Sequence, residues 1–277
     1  MDRVTTLTST TPADAYDRFY RDFDTPFMRQ IRREAYGEDL GQHSWVTKAE
    51  VCADIERLGL SSSTRLVDLG CGPCGPLTFI LDRVRCRGTG LERSPSALRI
   101  GQARAESLVV DALLSVREAD LDEPLPLESA SFDAAISVDV VLHVRDRLAL
   151  FREVARLLAP GGRFLFTDAG VVTGSFSNQE VRDRSVYGYT QFVPVSLNER
   201  MLGAAGFRLI ETEDRTASVI RNASGRLTAI EAHREELEER HGVDEVDRQR
   251  IYLRTVVELS RRGAVSRIMY LADVVDR

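Results

Sequence analysis

The feature that most narrows what this chain can fold into is a recurring alternation of short apolar runs with stretches of helical periodicity. Arg65-Leu66-Val67-Asp68-Leu69, Gly88-Thr89-Gly90-Leu91-Glu92 and residues 114–119, 132–138 and 162–168 read as five strands. Helical stretches around 76–85, 95–108 and 146–158 lie among them. Strands and helices alternating at about 25 to 30 residues per unit predict a parallel sheet with right-handed crossovers, an α/β fold. The later part differs. Residues 196–205 read as a helix closed by Gly206, 207–213 as a strand, about 220–262 as a polar helical block, and 265–272 as a final strand. The charges of Glu231 to Arg240 are most simply a solvated helix face.

Residues 12–58 read as helices broken near Gly37 and Gly41. Tyr16, Phe19, Tyr20, Phe23 and Phe27 form one apolar stripe at three- and four-residue steps, suited to core packing or to a lid over a site. A second helix starts at the N-cap Thr47 and stops at Gly59. With 277 residues, no repeats and no clear linker, the chain is expected to be one domain with helical additions. Its parts are a helical cap over 1–60, a core over 61–170, and substrate-side segments with the terminal strands over 171–277.

Charge and cysteine usage exclude several classes. Acids outnumber bases 43 to 37, for a net charge of −6, which argues against a nucleic-acid partner. No apolar stretch reaches the 18 to 20 residues of a membrane-spanning helix, and Met1 to Asp17 is polar, so the protein is expected in the cytoplasm. Four cysteines do not make a disulfide framework in that compartment. Cys71-Gly72-Pro73-Cys74 spells C-x-x-C, the pattern of a redox pair or half a zinc site, yet no partner pair follows at ligand spacing and both cysteines sit in a glycine-rich turn, so neither a metal nor a redox role is expected.

The first strand ends in Asp68-Leu69-Gly70-Cys71-Gly72-Pro73-Cys74-Gly75, so Gly70, Gly72 and Gly75 match G-x-G-x-x-G. Glycine there permits positive φ and lets a ligand lie against backbone. In an open parallel sheet the ligand crevice lies at the carboxyl ends of the strands, where the order reverses. Glu92 ends the second strand, where a carboxylate can accept from ribose hydroxyls. These facts give a nucleoside-cofactor site, with NAD and S-adenosylmethionine in competition. Three features favour the second. Asp68 would oppose a pyrophosphate but suits a cofactor with a sulfonium and an ammonium. Asp120-Leu121 follows the third strand, in place for the adenine amino group. Pro160-Gly161-Gly162 joins a helix to the fifth strand.

Val67-Asp68-Leu69-Gly70-Cys71-Gly72-Pro73, Glu92, Ala119-Asp120-Leu121, Ser131-Phe132-Asp133-Ala134 and Leu158-Ala159-Pro160-Gly161-Gly162 together resemble the ordered motifs of class I S-adenosylmethionine-dependent methyltransferases. The resemblance covers about 64 to 170. It implies a Rossmann-like, seven-stranded, mostly parallel sheet with helices on both faces and an antiparallel last strand beside the fifth. Tyr16-Asp17, Phe23 to Phe27 and Gly41-Gln42-His43-Ser44-Trp45 resemble the N-terminal cap of small-molecule members, among them natural-product sugar O-methyltransferases and sarcosine/dimethylglycine N-methyltransferases. In those, an N-terminal tyrosine and a later polar-aromatic segment close over the methionine end of the cofactor.

The implied cofactor is S-adenosyl-L-methionine, leaving as S-adenosyl-L-homocysteine. Its candidate residues are Tyr16, His43, Ser44, Asp68, Gly70, Cys71, Gly72, Glu92, Arg93, Asp120, Leu121, Val138 and Asp139. Cys71 contributes its backbone rather than its thiol, and Asp139 reads equally as an ammonium contact or a helix cap. His143, five residues beyond the fourth strand, and Asp168, ending the fifth, resemble the acid/base pair proposed in the sugar O-methyltransferases. The alternative reading of His143 is a structural residue capping a helix or lining the pocket. The expected activity is methyl transfer to a hydroxyl or amine of a small molecule in specialised metabolism, with homo-oligomerisation left open. The rival functions are a non-catalytic S-adenosylmethionine-binding partner or regulator and, further off, an NAD-dependent oxidoreductase.

Overall fold

Two capped helices precede the first strand in the computed structural model, which describes residue 17, residues 20–185 and residues 188–275. Tyr16 and Phe19 of the N-terminal stripe lie outside the described residues. Helix α1 (Pro26–Tyr36) starts where the Thr25 side chain accepts from Met28 N, has proline in its first turn, and stops at Gly37 with φ 78°. Helix α2 (Lys48–Leu58) carries a capping box, with Thr47 accepting from Glu50 N and the Glu50 carboxylate from Thr47 N. It ends at Gly59, whose φ of 64° favours a residue without Cβ.

The core then follows the expected alternation. Strand β1 (Arg65–Leu69), helix α3 (Gly75–Val84), β2 (Arg87–Glu92), α4 (Pro95–Ser107), β3 (Leu114–Glu118), β4 (Phe132–Val138), α5 (Arg147–Leu157) and β5 (Leu158–Val172) run in order. Beyond them come α6 (Asn178–Arg184), β6 (Val193–Pro194), α7 (Leu197–Ala204), β7 (Phe207–Asp214), α8 (Thr216–Ala232), α9 (Arg234–His241), α10 (Val243–Arg261) and β8 (Val265–Val274). The sheet order is β3-β2-β1-β4-β5-β8-β7. The first five strands pair in parallel, and β8 is inserted antiparallel to both β5 and β7. The expected seven strands form this path, but the sheet has eight. The fifth strand runs past Asp168 to Val172, and the two-residue β6 pairs with that extension at Val171.

Alternation along the strands divides the core between the two faces. Phe164 and Phe166 pack with Val67, Leu69, Phe151 and Tyr270 in one cluster, while Leu165 joins Leu66, Leu77, Leu81 and Ile136 in another. Chain order reverses between β1 and β4, which opens a crevice at their carboxyl ends.

The late helical block departs from the sequence expectation. It is three helices rather than one polar stretch, and α8 and α10 each bury an apolar face. Val219, Ala223, Ile230, Leu253 and Val256 pack around Trp45 as a third cluster. The charges of α9 do flank solvent, with only Leu237 of that helix buried. Apolar residues spread among many charges give a stripe that packing reveals more readily than composition.

Helix α8 lies against α1 so closely that a Cβ at Gly225 would sit 1.9 Å from the Ala35 carbonyl oxygen. At Gly203 in α7 a Cβ would meet nothing within 4 Å. Gly225→Ala is therefore expected to destabilise the protein by about 1–3 kcal/mol. Gly203→Ala should stabilise it by about 0.4–1 kcal/mol. Urea midpoints of the two variants, moving in opposite directions, check both.

Candidate active site

The turn leaving β1 is fixed from beneath by β2: the backbone N–H groups of Gly70 and Cys71 both donate to the Leu91 carbonyl, at 2.8 and 3.0 Å. Gly70 and Gly72 have φ of 75° and 52°. A Cβ at Gly70 would lie 2.6 Å from Val140 Cγ1, so this position accepts glycine alone. Gly72 N donates to Glu92 Oε2 at 3.1 Å, while Glu92 Oε1 accepts from Ser94 N at 2.9 Å. The cysteine side chains turn into the packing of the fold. A Cβ at Gly90 would lie 2.6 Å from Cys71 Sγ, and one at Gly101 would lie 2.6 Å from Cys74 Sγ. The hydrogen bond with Cys74, together with burial, holds the Cys71 thiol well above its usual range, so it is no thiolate.

One cavity opens over this turn. Its wall includes Asp68, Gly70, Cys71, Gly72, Glu92 and Arg93, then Asp120, Leu121, Val138 and Asp139, and finally His43, Ser44 and His143. These candidate residues from separate motifs thus share one space. Tyr16 lies outside the described residues. Burial, with the neighbouring Glu92 charge, pushes the Asp68 carboxyl up to about 8. Burial also raises Glu92, against the lowering effect of its N–H donors. Bare backbone at the turn, and acids on the two following strand ends, fit a nucleoside that carries positive charge. Among the described residues, no group of three or more His, Cys, Asp or Glu side chains could hold a metal ion.

At the other end, His143 sits on a 3-10 turn (Val141–His143) after β4, with Nδ1 2.9 Å from the Tyr189 carbonyl oxygen. Burial chiefly, aided by the charges of Arg184 and Arg93, lowers its imidazole to about 4. His43 is held well below its ordinary value by burial, with the charges of Arg226 and Arg32 adding to the effect.

Asp168 does not join His143. It is fully buried beneath the cavity, ion-paired to Arg147 Nη1, and accepts from Asn198 Nδ2 at 2.9 Å and from Gly170 N at 2.8 Å. Its oxygens serve the fold, and the Tyr189 carbonyl, not Asp168, orients the His143 ring. Asp139 likewise has fixed partners: Arg267 Nε at 2.7 Å, Thr167 Oγ1 at 2.8 Å and Trp45 N at 2.9 Å. It has φ 60° and caps no helix; its carboxylate is the counter-charge of a buried arginine.

Residues 67–166 match the family model described as a methyltransferase domain. An O-methyltransferase of Pyrenophora dematioidea is 25% identical over 219 residues, covering 77% of this chain and 81% of the relative. The protein is a class I S-adenosylmethionine-dependent methyltransferase. Phosphoethanolamine N-methyltransferase 1 of Triticum aestivum is 26% identical over 65% of this chain, a stretch that is 36% of that relative's own length. A Galdieria sulphuraria protein described as a sarcosine dimethylglycine methyltransferase shares the fold at TM-score 0.79 and 20% identity, covering 96% of this chain and 99% of that one. So does a Haemonchus contortus phosphoethanolamine N-methyltransferase 2 in complex with S-adenosyl-L-methionine, at TM-score 0.77 and 22% identity over 95% of this chain and 60% of that one. The cofactor of the methyltransferase is S-adenosyl-L-methionine. These relatives give no support to a non-catalytic binding protein, and the nicotinamide alternative is set aside by the same match.

Sequence reasoning missed several residues of the methyltransferase cavity. Arg184, Arg226 and Tyr252 line its far end, coming from α6, α8 and α10. Local patterns in those segments gave no sign of a shared site. Arg267, a lone charge in the apolar run Val265 to Ala272, was the one visible signal of a buried ion pair. Among the described residues, no helix of the methyltransferase is long and apolar enough to cross a membrane.

Asp168→Ala would leave the Arg147 guanidinium buried without its counter-charge. Unfolding free energy is expected to fall by about 3–5 kcal/mol, read from denaturant melts.

Proposed function

We propose that this methyltransferase acts in the cytoplasm on a hydroxyl or amine of a small molecule in specialised metabolism, without nucleic acid. In this reading residues 1–60 cap the site, 61–170 hold the cofactor and 171–277 shape the acceptor side. The observation that carries it is the continuity of one cavity from the acid-lined glycine turn to His143. Similarity to both an O- and an N-methyltransferase supports a small-molecule acceptor and leaves the accepting atom open.

S-adenosyl-L-methionine, when bound, supplies a methyl group activated on a sulfonium sulfur. The chain's own residues then have four tasks. Glu92 accepts from the ribose hydroxyls, Asp120 from the adenine amino group, and Asp68 pairs with the ammonium directly or through water. The walls hold the acceptor in line with the methyl carbon, a positional effect worth up to about 7–11 kcal/mol at the extreme. An amine attacks through its own lone pair. A hydroxyl must lose its proton, and His143 is the base in reach. A bond from Nδ1–H to the Tyr189 carbonyl fixes the tautomer and leaves the lone pair on Nε2.

Asp68 gives the first test. In the free protein its carboxyl, raised to about 8, is protonated at neutral pH. A cationic cofactor favours the ionised form, so binding releases a proton and affinity rises with pH toward 8. Calorimetry at pH 7 in buffers of different ionisation heat should detect this release in the wild type, and none in Asp68→Asn.

His143 gives the second. With its imidazole at about 4, the base stays neutral through the physiological range, and kcat/KM should lose its histidine limb only as pH falls toward 4. For a hydroxyl acceptor, His143→Ala should cut kcat by about 10²–10⁴ while leaving S-adenosylhomocysteine affinity unchanged. For an amine acceptor, the profile should track deprotonation of the amine instead. Equal turnover of a hydroxyl acceptor by both proteins would remove the base role.

A further inference from the structure

Five arginines are buried among the described residues: Arg32, Arg147, Arg184, Arg215 and Arg267. Four hold a carboxylate. Arg32 pairs with Asp39, Arg147 with Asp168, Arg215 with Asp54, and Arg267 with Asp139 and Glu50. Arg184 is the exception. At 5% exposure, it donates to the Tyr252 hydroxyl at 3.1 Å and the Ala169 carbonyl at 3.4 Å, and lies over the Tyr252 ring at 5.2 Å. Both acceptors are neutral, and no described carboxylate pairs with it. An unpaired buried guanidinium is costly to a folded protein. Arg184 also lines the cavity, so the missing counter-charge has an entrance.

Charge is divided along this cavity. Asp68, Glu92, Asp120 and Asp122 line the end with the glycine turn and outnumber Arg93 there. Arg184 lines the other end with Arg226, which lies 5.4 Å over the Trp45 ring. The acids of the adjoining strand ends are already committed, Asp139 to Arg267 and Asp168 to Arg147. One end therefore suits a cation, which is the charge of the cofactor's sulfonium and ammonium, and the other suits an anion.

Building on the methyl-transfer reading above, we propose that the acceptor is an anion whose carboxylate or phosphate docks on Arg184, with Arg226 as a second positive charge at the same wall. The guanidinium fork matches either group through paired N–H donors. His143 is close enough to Arg184 to feel its charge, so an anion seated there brings the rest of the acceptor alongside the base. Neutralising Arg184 also relieves one of the charges that depress the imidazole, so the docked anion strengthens the base that serves it.

The test uses the full chain saturated with S-adenosylhomocysteine and titrated calorimetrically with benzoate, phenyl phosphate and neutral benzamide. At least one anion should bind about tenfold to a hundredfold more tightly than benzamide, the range of a charged hydrogen-bonded pair. Arg184→Gln should abolish that preference and leave S-adenosylhomocysteine affinity unchanged. Arg184→Lys, which keeps the charge but loses the fork, should retain part of it. Equal binding of charged and neutral probes by the wild type, or no binding of either anion, overturns the proposal while the cofactor reading stands. The cofactor's own carboxylate is the other source of such an anion. If Arg184→Gln weakens S-adenosylhomocysteine and spares the anion preference, the arginine serves the cofactor and the proposal falls. Failure of the wild type to bind S-adenosylhomocysteine would remove both readings together.

Discussion

The Arg267 side chain is the point through which distant parts of this methyltransferase hold one another. Fully buried in the last strand, it donates to Asp139 at 2.7 Å, to Glu50 at 2.9 Å and to Ser218 at 3.0 Å. Those partners belong to the turn after β4, to α2 before the first strand, and to α8 in the late helices. Asp139 passes the connection on by accepting from Trp45 N. Burying such a cluster costs several kcal/mol per ion, offset only when geometry is fixed and further hydrogen bonds complete it. The cluster therefore tolerates little displacement, and α2, the turn after β4 and α8 are held in one mutual arrangement beside the cavity.

That arrangement explains why the cavity has two ends of different origin. The end at the glycine turn is built from the ends of β1, β2, β3 and β4, whose spacing follows from the sheet. The other end, to which we assign the acceptor, is assembled from α6, α8 and α10 closing over Trp45, positioned by packing and by the Arg267 cluster. Trp45 and Tyr252 stack at 6.4 Å between ring centroids, each with an arginine over its ring. The first end is common to the family domain spanning 67–166, while the second lies mostly outside that span.

The same division sets how much was legible in the sequence. Strands β1 and β4 were readable to the residue, because central parallel strands are apolar runs bounded by glycine or polar turns. The Thr47 cap was readable because its partner is three residues away. Asp68, Glu92 and Asp120 could be expected on one cavity wall because each sits at or just beyond a strand end, whereas His43 and Ser44 come from the loop before α2. Asp168 was misread for the complementary reason. It too ends a strand segment at the right edge, but its partners Arg147 and Asn198 are 21 and 30 residues distant and leave no local mark. Arg184 was invisible because its meaning depends on which carboxylates are already taken elsewhere, and Arg226 because it meets Trp45 only through the packing of α8. The eighth strand was missed because two residues are too few to carry a period.

The seating of the two cysteines has a consequence for how this turn can change over generations. Each thiol occupies volume that a methyl group at Gly90 or Gly101 would claim, with 2.6 Å between the competing atoms. Positions 71 and 90, and positions 74 and 101, are thus coupled pairs. Alanine is acceptable at 90 or 101 only after the facing thiol has become smaller, whereas the reverse order passes through an overpacked intermediate. Divergence here is constrained to a sequence of moves, and a homologue bearing a side chain at 90 should carry a smaller residue at 71.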